Sequence, residues 1–202
     1  MLAAWFVASY FVGAIPTSYL VAKLVKGIDL RTVGSKNLGA TNLYRALGWR
    51  WAVPVGLFDV AKGAVPVLLF GPLAGGGPWL PSLFGATAVL GHVFSVFVRF
   101  KGGKGVATAA GVVLGIAPWA TLASLLVWTA TVWLSGYVSL GSILAAATLP
   151  VAVFFLHPGL RSTIWIFGGL ALFVVLMHRA NLRRLLNGTE SRFGRRAEHP
   201  AA

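Results

Sequence analysis

The sequence predicts an all-α membrane protein, with one domain that covers residues 1–202. Of the 202 residues, 57% are hydrophobic and only 10% are charged, whereas a soluble domain carries about a quarter charged residues. Long apolar stretches recur along the whole chain and alternate with short basic segments. Several helices that cross a membrane account for all of these observations.

The charged residues are mostly basic and fall into three clusters. Seventeen Lys and Arg residues oppose four acidic residues, for a formal net charge of +13. The clusters occupy residues 23–50, 99–104 and 179–196. Lys and Arg concentrate in the cytoplasmic loops of membrane proteins, where each gains about 1 kcal/mol near an anionic leaflet. The clusters therefore predict a cytoplasmic face, and they explain the basic charge without nucleic acid as a partner.

The apolar stretches predict the topology. Spans are expected at about residues 2–22, 51–70 and 81–98, since a crossing helix needs about 20 apolar residues. The stretch 105–178 carries a single charge, Arg161, and joins two basic clusters that should share a face, so it must cross an even number of times. Four short, tilted crossings fit, with breaks at 117–118, 135–142 and 157–161.

Seven transmembrane helices result, with the N-terminus outside and the C-terminus in the cytoplasm. Five spans are the alternative, because the fourth and fifth spans are the weakest. The first apolar run has no basic residue before it and two lysines, Lys23 and Lys26, after it. This charge order is the reverse of that in a cleavable signal peptide, so we expect an uncleaved first span. A disordered tail is expected from about residue 193.

Three segments rich in glycine and polar side chains fall on the predicted cytoplasmic face. They read GSKNLGATNLYR over 34–45, FKGGKGVAT over 100–108 and HRANLRRLLNGTE over 178–190, and YVSLGS over 137–142 joins them. Any one of them could merely reverse the chain or carry arginines that reach for the membrane surface. Three such segments on one face predict a binding site.

The residue types of these segments predict an anionic ligand. Neutral donors and cations predominate, and glycines let backbone N–H groups approach an anion. GGKGVAT should open a helix, whose N-terminus also attracts negative charge. Acidic side chains near the site are limited to Asp59 and Glu190. Such a set fits phosphate or carboxylate and does not fit a Mg²⁺ cage.

Several other chemistries lack their signature here. GGKG does not have the spacing of a P-loop, and no GxSxG elbow occurs. Asp29 and Asp59 are not usefully spaced for a Ser-His-Asp triad, and no HxxxH pair indicates zinc. His157 is expected to be structural, and His199 lies in the predicted tail. We expect no metal and no other cofactor.

Two histidines and one pair of charges could serve the site. His92 lies in the third span, two turns from the basic loop, and could be structural or functional. His178 ends the last span directly before Arg179. Asp59 and Lys62 lie one helical turn apart within the second span. They are expected to pair with each other or with the site, because an isolated charge in a membrane is expensive.

The motifs GSKNLGATN, GHVFSVFVRFKGGKGVAT and HRANLRRLLNGTE, with FDVAKG between the first two, closely resemble the bacterial acyl-phosphate:glycerol-3-phosphate acyltransferase family. The resemblance covers nearly the whole chain. It implies a multi-pass enzyme of the bacterial inner membrane, with its site on the cytoplasmic face. Such an enzyme transfers a fatty acyl group from acyl phosphate to the 1-hydroxyl of glycerol 3-phosphate. The products are lysophosphatidic acid and inorganic phosphate, in the first step of phospholipid synthesis, without acyl-CoA, acyl carrier protein or metal.

Together with the residue types, the resemblance assigns the site. Ser35, Lys104 and His178 are the candidate catalytic residues. The family usually has glycine where this chain has Lys36, and a lysine there would cost about 1 kcal/mol if the backbone is left-handed. The candidate residues for binding substrate and phosphate are Asn37, Thr41, Asn42, Arg45, His92, Lys101, Gly102, Gly103, Ser142, Arg179, Asn181 and Glu190.

The predicted chemistry is acyl transfer from a mixed anhydride to glycerol 3-phosphate. Phosphate is a good leaving group, so the enzyme mainly has to orient two anionic substrates. Lys104 and Arg45 are expected to hold phosphate, with Ser35 and nearby Asn side chains donating further hydrogen bonds. Direct attack is favoured over an acyl-Ser35 intermediate, since no base is spaced to activate that serine. Either His178 or a substrate phosphate would accept the hydroxyl proton.

Membrane lipid surrounds the predicted enzyme, and a groove open to lipid is expected among the first three spans, near Phe94, Phe97 and Phe100. A transporter of an organic phosphate would also use cationic loops and broken helices. It predicts polar positions at depth and related halves, whereas only Asp59 and Lys62 lie at depth and no repeat is found. A scaffold gives no reason for three polar loops on one face. No sequence feature predicts an oligomeric state.

Overall fold

The computed structural model describes residues 1–77 and 79–193, and within these ranges the chain is helical with no strand. A π-helical turn, Pro66–Phe70, continues the fourth helix, and 3₁₀ turns cover Val96–Val98 and Pro158–Thr163. The all-α prediction is confirmed. Of the predicted tail, everything after residue 193, including His199, lies outside the described residues.

The α-helices are α1 Leu2–Ala14, α2 Thr17–Lys26, α3 Ala40–Leu47, α4 Trp49–Val65, α5 Gly71–Ala74, α6 Leu80–Val93, α7 Val106–Ile116, α8 Pro118–Ser135, α9 Val138–Leu156, α10 Ile164–Met177 and α11 Arg179–Leu186.

Five helical segments of the described chain are long and apolar enough to cross a membrane. They expose large apolar side chains, such as Leu57, Phe155 and Leu172, which are at least 60% exposed and suit contact with lipid. The two remaining predicted spans, the fourth and fifth, correspond to α7 with 11 residues and α8 with 18. The five segments are Leu2–Lys26, Trp49–Ala74, Leu80–Val98, Val138–Leu156 and Pro158–Met177.

Proline and histidine mark the breaks between the later helices. Pro118 begins α8 directly after α7, and Gly136, with a left-handed φ of 75°, separates α8 from α9. His157 ends α9 and accepts a hydrogen bond at Nε2 from the N–H of Ala120, at 3.4 Å. The start of α8 and the end of α9 are therefore adjacent, and His157 has the structural role that the sequence predicted.

The first span is broken at Pro16, which has no N–H to donate to the preceding turn. Side chains from distant parts of the chain donate hydrogen bonds to the carbonyl groups at this break. Ser95 Oγ donates to the carbonyl of Ala14. Lys62 Nζ donates to the carbonyl of Ile15 at 2.8 Å. Such compensation is required within a bilayer, where no water can satisfy the backbone.

Lys62 also pairs with Asp59, as the sequence predicted. Lys62 Nζ lies 2.8 Å from Asp59 Oδ1, and both side chains are only 2% exposed. A buried charge without its partner would be strongly destabilising, by about 3–5 kcal/mol. The pair therefore serves two purposes, because it neutralises both charges and ties α4 to the break in the first span.

Two helix crossings depend on glycines that face a backbone carbonyl of the partner helix. Gly63 on α4 lies against α7, and Gly111 on α7 lies against α4, so that a Cβ on either would overlap the opposite backbone. Gly13 and Gly91 join α1 to α6 in the same way. Small residues at such crossings are typical of helix packing in membranes, where close backbone approach supplies much of the stability.

We expect Gly63→Ala and Gly111→Ala each to destabilise the protein by about 1–3 kcal/mol, as overpacked sites do. Thermal unfolding in detergent should show this as a Tm several degrees lower. Gly168→Ala on α10 is the matched control, because no atom lies within 4 Å of its added methyl group. Equal Tm values for Gly111→Ala and Gly168→Ala would contradict the role given to the crossings.

Candidate active site

A cavity of about 590 Å³ opens among the polar loops and runs between α7, α8, α9 and α10. Its size lies within the usual range of small-molecule sites. One end is polar and gathers side chains from all the predicted motifs. The other end is apolar and includes Leu114, Ala146, Leu149 and Leu170. The predicted site residues that line the cavity are Ser35, Asn37, Thr41, Asn42, Arg45, His92, Lys104, Ser142, His178, Asn181 and Glu190.

The carboxylate of Glu190 joins three parts of the polar end. Its Oε1 accepts hydrogen bonds from Asn181 Nδ2 at 2.7 Å and from Ser139 Oγ at 2.8 Å. Its Oε2 accepts one from Arg184 Nε, also at 2.7 Å. Burial would raise the pKa of Glu190, but these hydrogen bonds and the charge of Arg184 lower it below its ordinary value. Glu190 is thus an anion that fixes α9 and α11 beside Lys104, whose Nζ donates to Asn181 Oδ1.

Lys104 is the central cation of the polar end. It lies directly before Gly105, which caps the N-terminus of α7. Burial, against the opposing charge of Glu190 and with the help of the charges of Arg184 and Arg45, lowers the pKa of Lys104 to about 8. The ammonium is still mostly protonated at neutral pH, and it is ready to bind an anion.

Arg45 supplies a second cation, from α3. Its side chain is partly buried, which lowers its pKa, but a guanidinium stays charged under all ordinary conditions. Arg45 Nη2 donates to the carbonyl of Ser191 at 3.4 Å, and the ring of Tyr44 stacks on that of Phe193. The segment after α11 is therefore held against α3 at the mouth of the cavity.

His178 is a neutral acceptor in this environment. Its Nδ1 lies 2.8 Å from the carbonyl oxygen of Val174, and a carbonyl can only accept, so Nδ1 carries the proton and Nε2 has the free lone pair. Burial and the charge of Lys104 lower the pKa of His178 to about 4, against the opposing effects of Val174 and Glu190. The ring can therefore orient a hydroxyl group, but it is a weak base.

Asn42 organises the loop of the first motif. Its Nδ2 donates to the carbonyls of Leu30, at 3.2 Å, and Val33, at 3.1 Å. Its Oδ1 accepts the N–H of Ser35 at 2.9 Å. Both amide hydrogens are thus engaged within the chain, and a bond from Asn42 to a substrate stays a prediction. The exposed Lys36 has a left-handed φ of 57°, so it bears the cost of about 1 kcal/mol that such a lysine carries.

Gly102 and Gly103 are also hydrogen-bonded within the chain. Their N–H groups donate to the carbonyls of Val93, at 2.9 Å, and His92, at 3.2 Å, so these amides are not open to an anion. A Cβ on Gly102 would overlap the carbonyl of His92, and one on Gly103 would overlap its ring. Both glycines are therefore closely packed against the end of α6.

Three further predicted site residues are either exposed or hydrogen-bonded within the chain. Lys101 and Arg179 are exposed and lie outside the wall of the cavity, because the direction of a side chain on a loop or helix end is not encoded in its motif. Ser142 lines the cavity, but its hydroxyl donates to the carbonyl of Val138 at 2.9 Å and accepts from Trp128 Nε1 at 3.3 Å. Ser142 thereby holds Trp128 in the wall.

The apolar arm of the cavity lies among α7–α10 and not among the first three spans. Phe94, Phe97 and Phe100 do not line it, and each is at least 41% exposed. A groove open to lipid at these residues stays a prediction, separate from the cavity among α7–α10.

Ser139 and Arg184 complete the network around Glu190, and the sequence interpretation missed both. The spacing in the sequence could have indicated both residues. Arg184 lies three residues after Asn181, and Ser139 lies three residues before Ser142. Residues three apart are neighbours on one face of a helix. Within the described ranges, no group of three or more His, Asp or Glu side chains could hold a metal ion.

The fold and the site define a class: a multi-pass integral membrane protein with a cationic pocket joined to an apolar arm. The family model for glycerol-3-phosphate acyltransferase matches residues 3–188. The glycerol-3-phosphate acyltransferase of Desulforudis audaxviator is 50% identical, over 92% of each chain. That of Chlorobaculum tepidum is 43% identical, over 94% of this chain and 96% of the relative.

Solved structures agree with these relatives. PlsY (YgiH), described as an integral membrane glycerol 3-phosphate acyltransferase, matches in its glycerol 3-phosphate form with a TM-score of 0.89 and 40% identity, over 96% of each chain. Its lysophosphatidic acid form gives a TM-score of 0.86 at 36% identity, over 96% of this chain and 95% of that one. The chain belongs to the glycerol-3-phosphate acyltransferase family, and the resemblance seen in its motifs is confirmed.

The pKa of Lys104 predicts a pH dependence. Binding of a phosphate dianion needs the protonated ammonium, which the free protein loses as the pH rises through about 8. We therefore expect kcat/KM for glycerol 3-phosphate to fall above about pH 8, by up to tenfold per pH unit, because this ratio reports the free enzyme. Lys104→Arg should move the decline to higher pH, since a guanidinium does not deprotonate there. The same decline in both proteins would show that another group titrates.

Proposed function

We propose that this chain transfers a fatty acyl group from acyl phosphate to the 1-hydroxyl of glycerol 3-phosphate. Lysophosphatidic acid and inorganic phosphate would be the products. The observation that carries the proposal is a single cavity with a cationic end and an apolar arm, since the reaction joins a phosphate-bearing alcohol to a long hydrocarbon chain. Solved relatives named for their glycerol 3-phosphate and lysophosphatidic acid forms support the acceptor and the product. The motif resemblance supports acyl phosphate as the donor.

Lys104 and Arg45 would hold the phosphate groups of the two substrates. Ser35, Asn37 and Thr41 line the same end of the cavity and can donate hydrogen bonds to phosphate oxygens. Fixing two anions side by side is the main task, because orientation of this kind can supply about 7–11 kcal/mol of barrier reduction.

The 1-hydroxyl oxygen would attack the acyl carbon directly. A new C–O ester bond forms, the C–O bond to the phosphate leaving group breaks, and the hydroxyl proton ends on the released phosphate. The Nε2 of His178 would orient the hydroxyl by accepting its hydrogen bond. With its pKa near 4, His178 is a weaker base than a phosphate dianion, whose second pKa lies near 6. Within the described residues, no histidine is hydrogen-bonded to Ser35, which favours direct attack over an acyl-serine.

Seven crossings are proposed for the membrane topology. α7 begins beside Lys104, and α8 ends directly before Gly136, whose carbonyl accepts the N–H of Phe193 at 2.7 Å. The start of α7 and the end of α8 therefore both lie near the candidate site. α7 has only 11 residues, about 17 Å of helix, but it packs on α4 and need not match the lipid. With the basic loops in the cytoplasm, the site and the C-terminus face inward across the bacterial inner membrane, the N-terminus lies outside, and residues 1–202 form one domain.

The reaction is tested with purified protein, palmitoyl phosphate and glycerol 3-phosphate, without acyl-CoA and without added metal. We expect release of inorganic phosphate that depends on glycerol 3-phosphate, and a loss of at least about 100-fold in Lys104→Met, the range expected for a group that stabilises charge in the transition state. Lys26→Met, an exposed lysine at the end of α2, is the matched control and should retain activity. No release from folded protein would refute the proposed reaction.

The apolar arm is tested by narrowing it. Ala146 on α9 is 8% exposed and lines the arm, so Ala146→Leu should exclude the far part of a long acyl chain. We expect the kcat/KM ratio of palmitoyl to decanoyl phosphate to fall at least about tenfold, the usual effect of one or more methylenes in an apolar pocket. Ala147→Leu, on the exposed face of the same helix, should leave the ratio unchanged. An unchanged ratio in Ala146→Leu would place the acyl chain elsewhere.

The topology is tested by labelling single cysteines from outside intact cells, since the chain has no cysteine of its own. Trp119→Cys, in the first turn of α8, should label together with Gly159→Cys. Lys101→Cys should label only after the membrane is opened. In a five-span protein, Trp119→Cys would behave like Lys101→Cys.

A further inference from the structure

The loop that carries Lys104 is anchored to the last turn of α6. After α6 the chain reverses, and Arg99 and Phe100 have left-handed φ angles of 57° and 60°. The N–H groups of Gly102 and Gly103 then bond the carbonyls at the end of α6, which the helix itself leaves unsatisfied. Lys104 follows directly, so this anchor fixes where its side chain begins.

The side chain of His92 adds a second contact to the anchor. Its ring lies over Gly103, so closely that a methyl group there would overlap Nε2. The other ring nitrogen, Nδ1, lies 3.9 Å from Asp59 Oδ1, and no hydrogen-bond partner reaches it in the described chain. His92 is only 7% exposed, and both His92 and Asp59 belong to the wall of the cavity.

Asp59 is itself held in place by Lys62. Lys62 holds the same carboxylate oxygen at 2.8 Å and also bonds the carbonyl of Ile15, at the break in the first span. A continuous series of contacts thus runs from Ile15 through Lys62, Asp59 and His92 to Gly103, the residue before Lys104.

We propose that His92, backed by the Asp59–Lys62 pair, is the positioning residue for Lys104, and that Gly103 is a glycine because of the His92 ring and not because a ligand approaches it. The proposal rests on the proposed function in one respect, that Lys104 binds phosphate. It extends that function by assigning a role to three buried residues that do not take part in the chemistry. It also separates two explanations of the glycine pair, since a methyl group on Gly103 would meet either the His92 ring or the bound anion.

A double-mutant cycle separates these explanations. The Kd for inorganic phosphate is measured by titration calorimetry for the unaltered protein, Gly103→Ala, His92→Ala and the double variant. We expect Gly103→Ala to weaken binding at least tenfold, because the methyl displaces the ring and with it the lysine. His92→Ala should weaken it several-fold, through the loss of support. In the double variant the methyl group enters the space that the ring has left. Adding Gly103→Ala to His92→Ala should therefore weaken phosphate binding less than twofold, which is a strong departure from additivity.

A glycine needed for the anion itself would give a different result. Gly103→Ala would then weaken phosphate binding by the same factor in the presence and in the absence of the His92 ring. That result would overturn the proposal. Thermal unfolding is recorded for all four proteins. If Gly103→Ala does not fold, His92→Ala alone remains a test, since unchanged phosphate affinity in this variant refutes the proposal.

Turnover supplies a second readout. In His92→Ala, KM for glycerol 3-phosphate should rise several-fold while kcat changes less than twofold; a fall in kcat with unchanged KM would contradict a positioning role. The calorimetric cycle needs no acyl transfer. Failure of the proposed reaction and failure of this inference are therefore distinguishable.

Discussion

The site depends on one carboxylate that holds together a group of positive charges. The chain carries 17 basic and four acidic residues, and Lys104, Arg45 and Arg184 converge on a partly buried pocket. Two like charges 4 Å apart repel by about 4 kcal/mol near a protein surface. The negative charge of Glu190 offsets this repulsion, and its hydrogen bonds with Arg184, Asn181 and Ser139 hold the carboxylate in place. Among the described residues, no carboxylate forms an ion pair with Lys104 or Arg45, which suits the phosphate-binding role that we propose for both.

The bilayer imposes the second constraint, and the protein meets it with groups that also support the site. The break at Pro16 frees backbone carbonyls that must find donors, and Lys62 is one of these donors. A lysine at this depth needs a counter-ion, which Asp59 provides. Asp59 in turn faces His92, beside the loop of Lys104. The residues that satisfy the membrane-buried backbone are thus the same residues that lie behind the proposed phosphate pocket.

The sequence predicted the helices, their breaks and most members of the site, because these follow from the length of apolar stretches and from clustered donors and cations. It was less informative about the role of each member. Asn42 and Gly103 were expected to face an anion, but they bond and pack within the chain. A motif shows which groups could bind phosphate, whereas the partner that each group finds depends on tertiary contacts. The position of the apolar arm depends on the same tertiary contacts, since the arm is a gap between α7, α8, α9 and α10.

The most direct test of this account is the affinity of Glu190→Gln for glycerol 3-phosphate, measured by titration calorimetry beside the unaltered protein. Simple electrostatics predicts tighter binding, because the substitution removes a negative charge near a phosphate site. Our account predicts binding at least about tenfold weaker, about 1.4 kcal/mol, because the cations lose the anion that organises them. Equal or tighter binding by the folded variant would contradict the central role of Glu190.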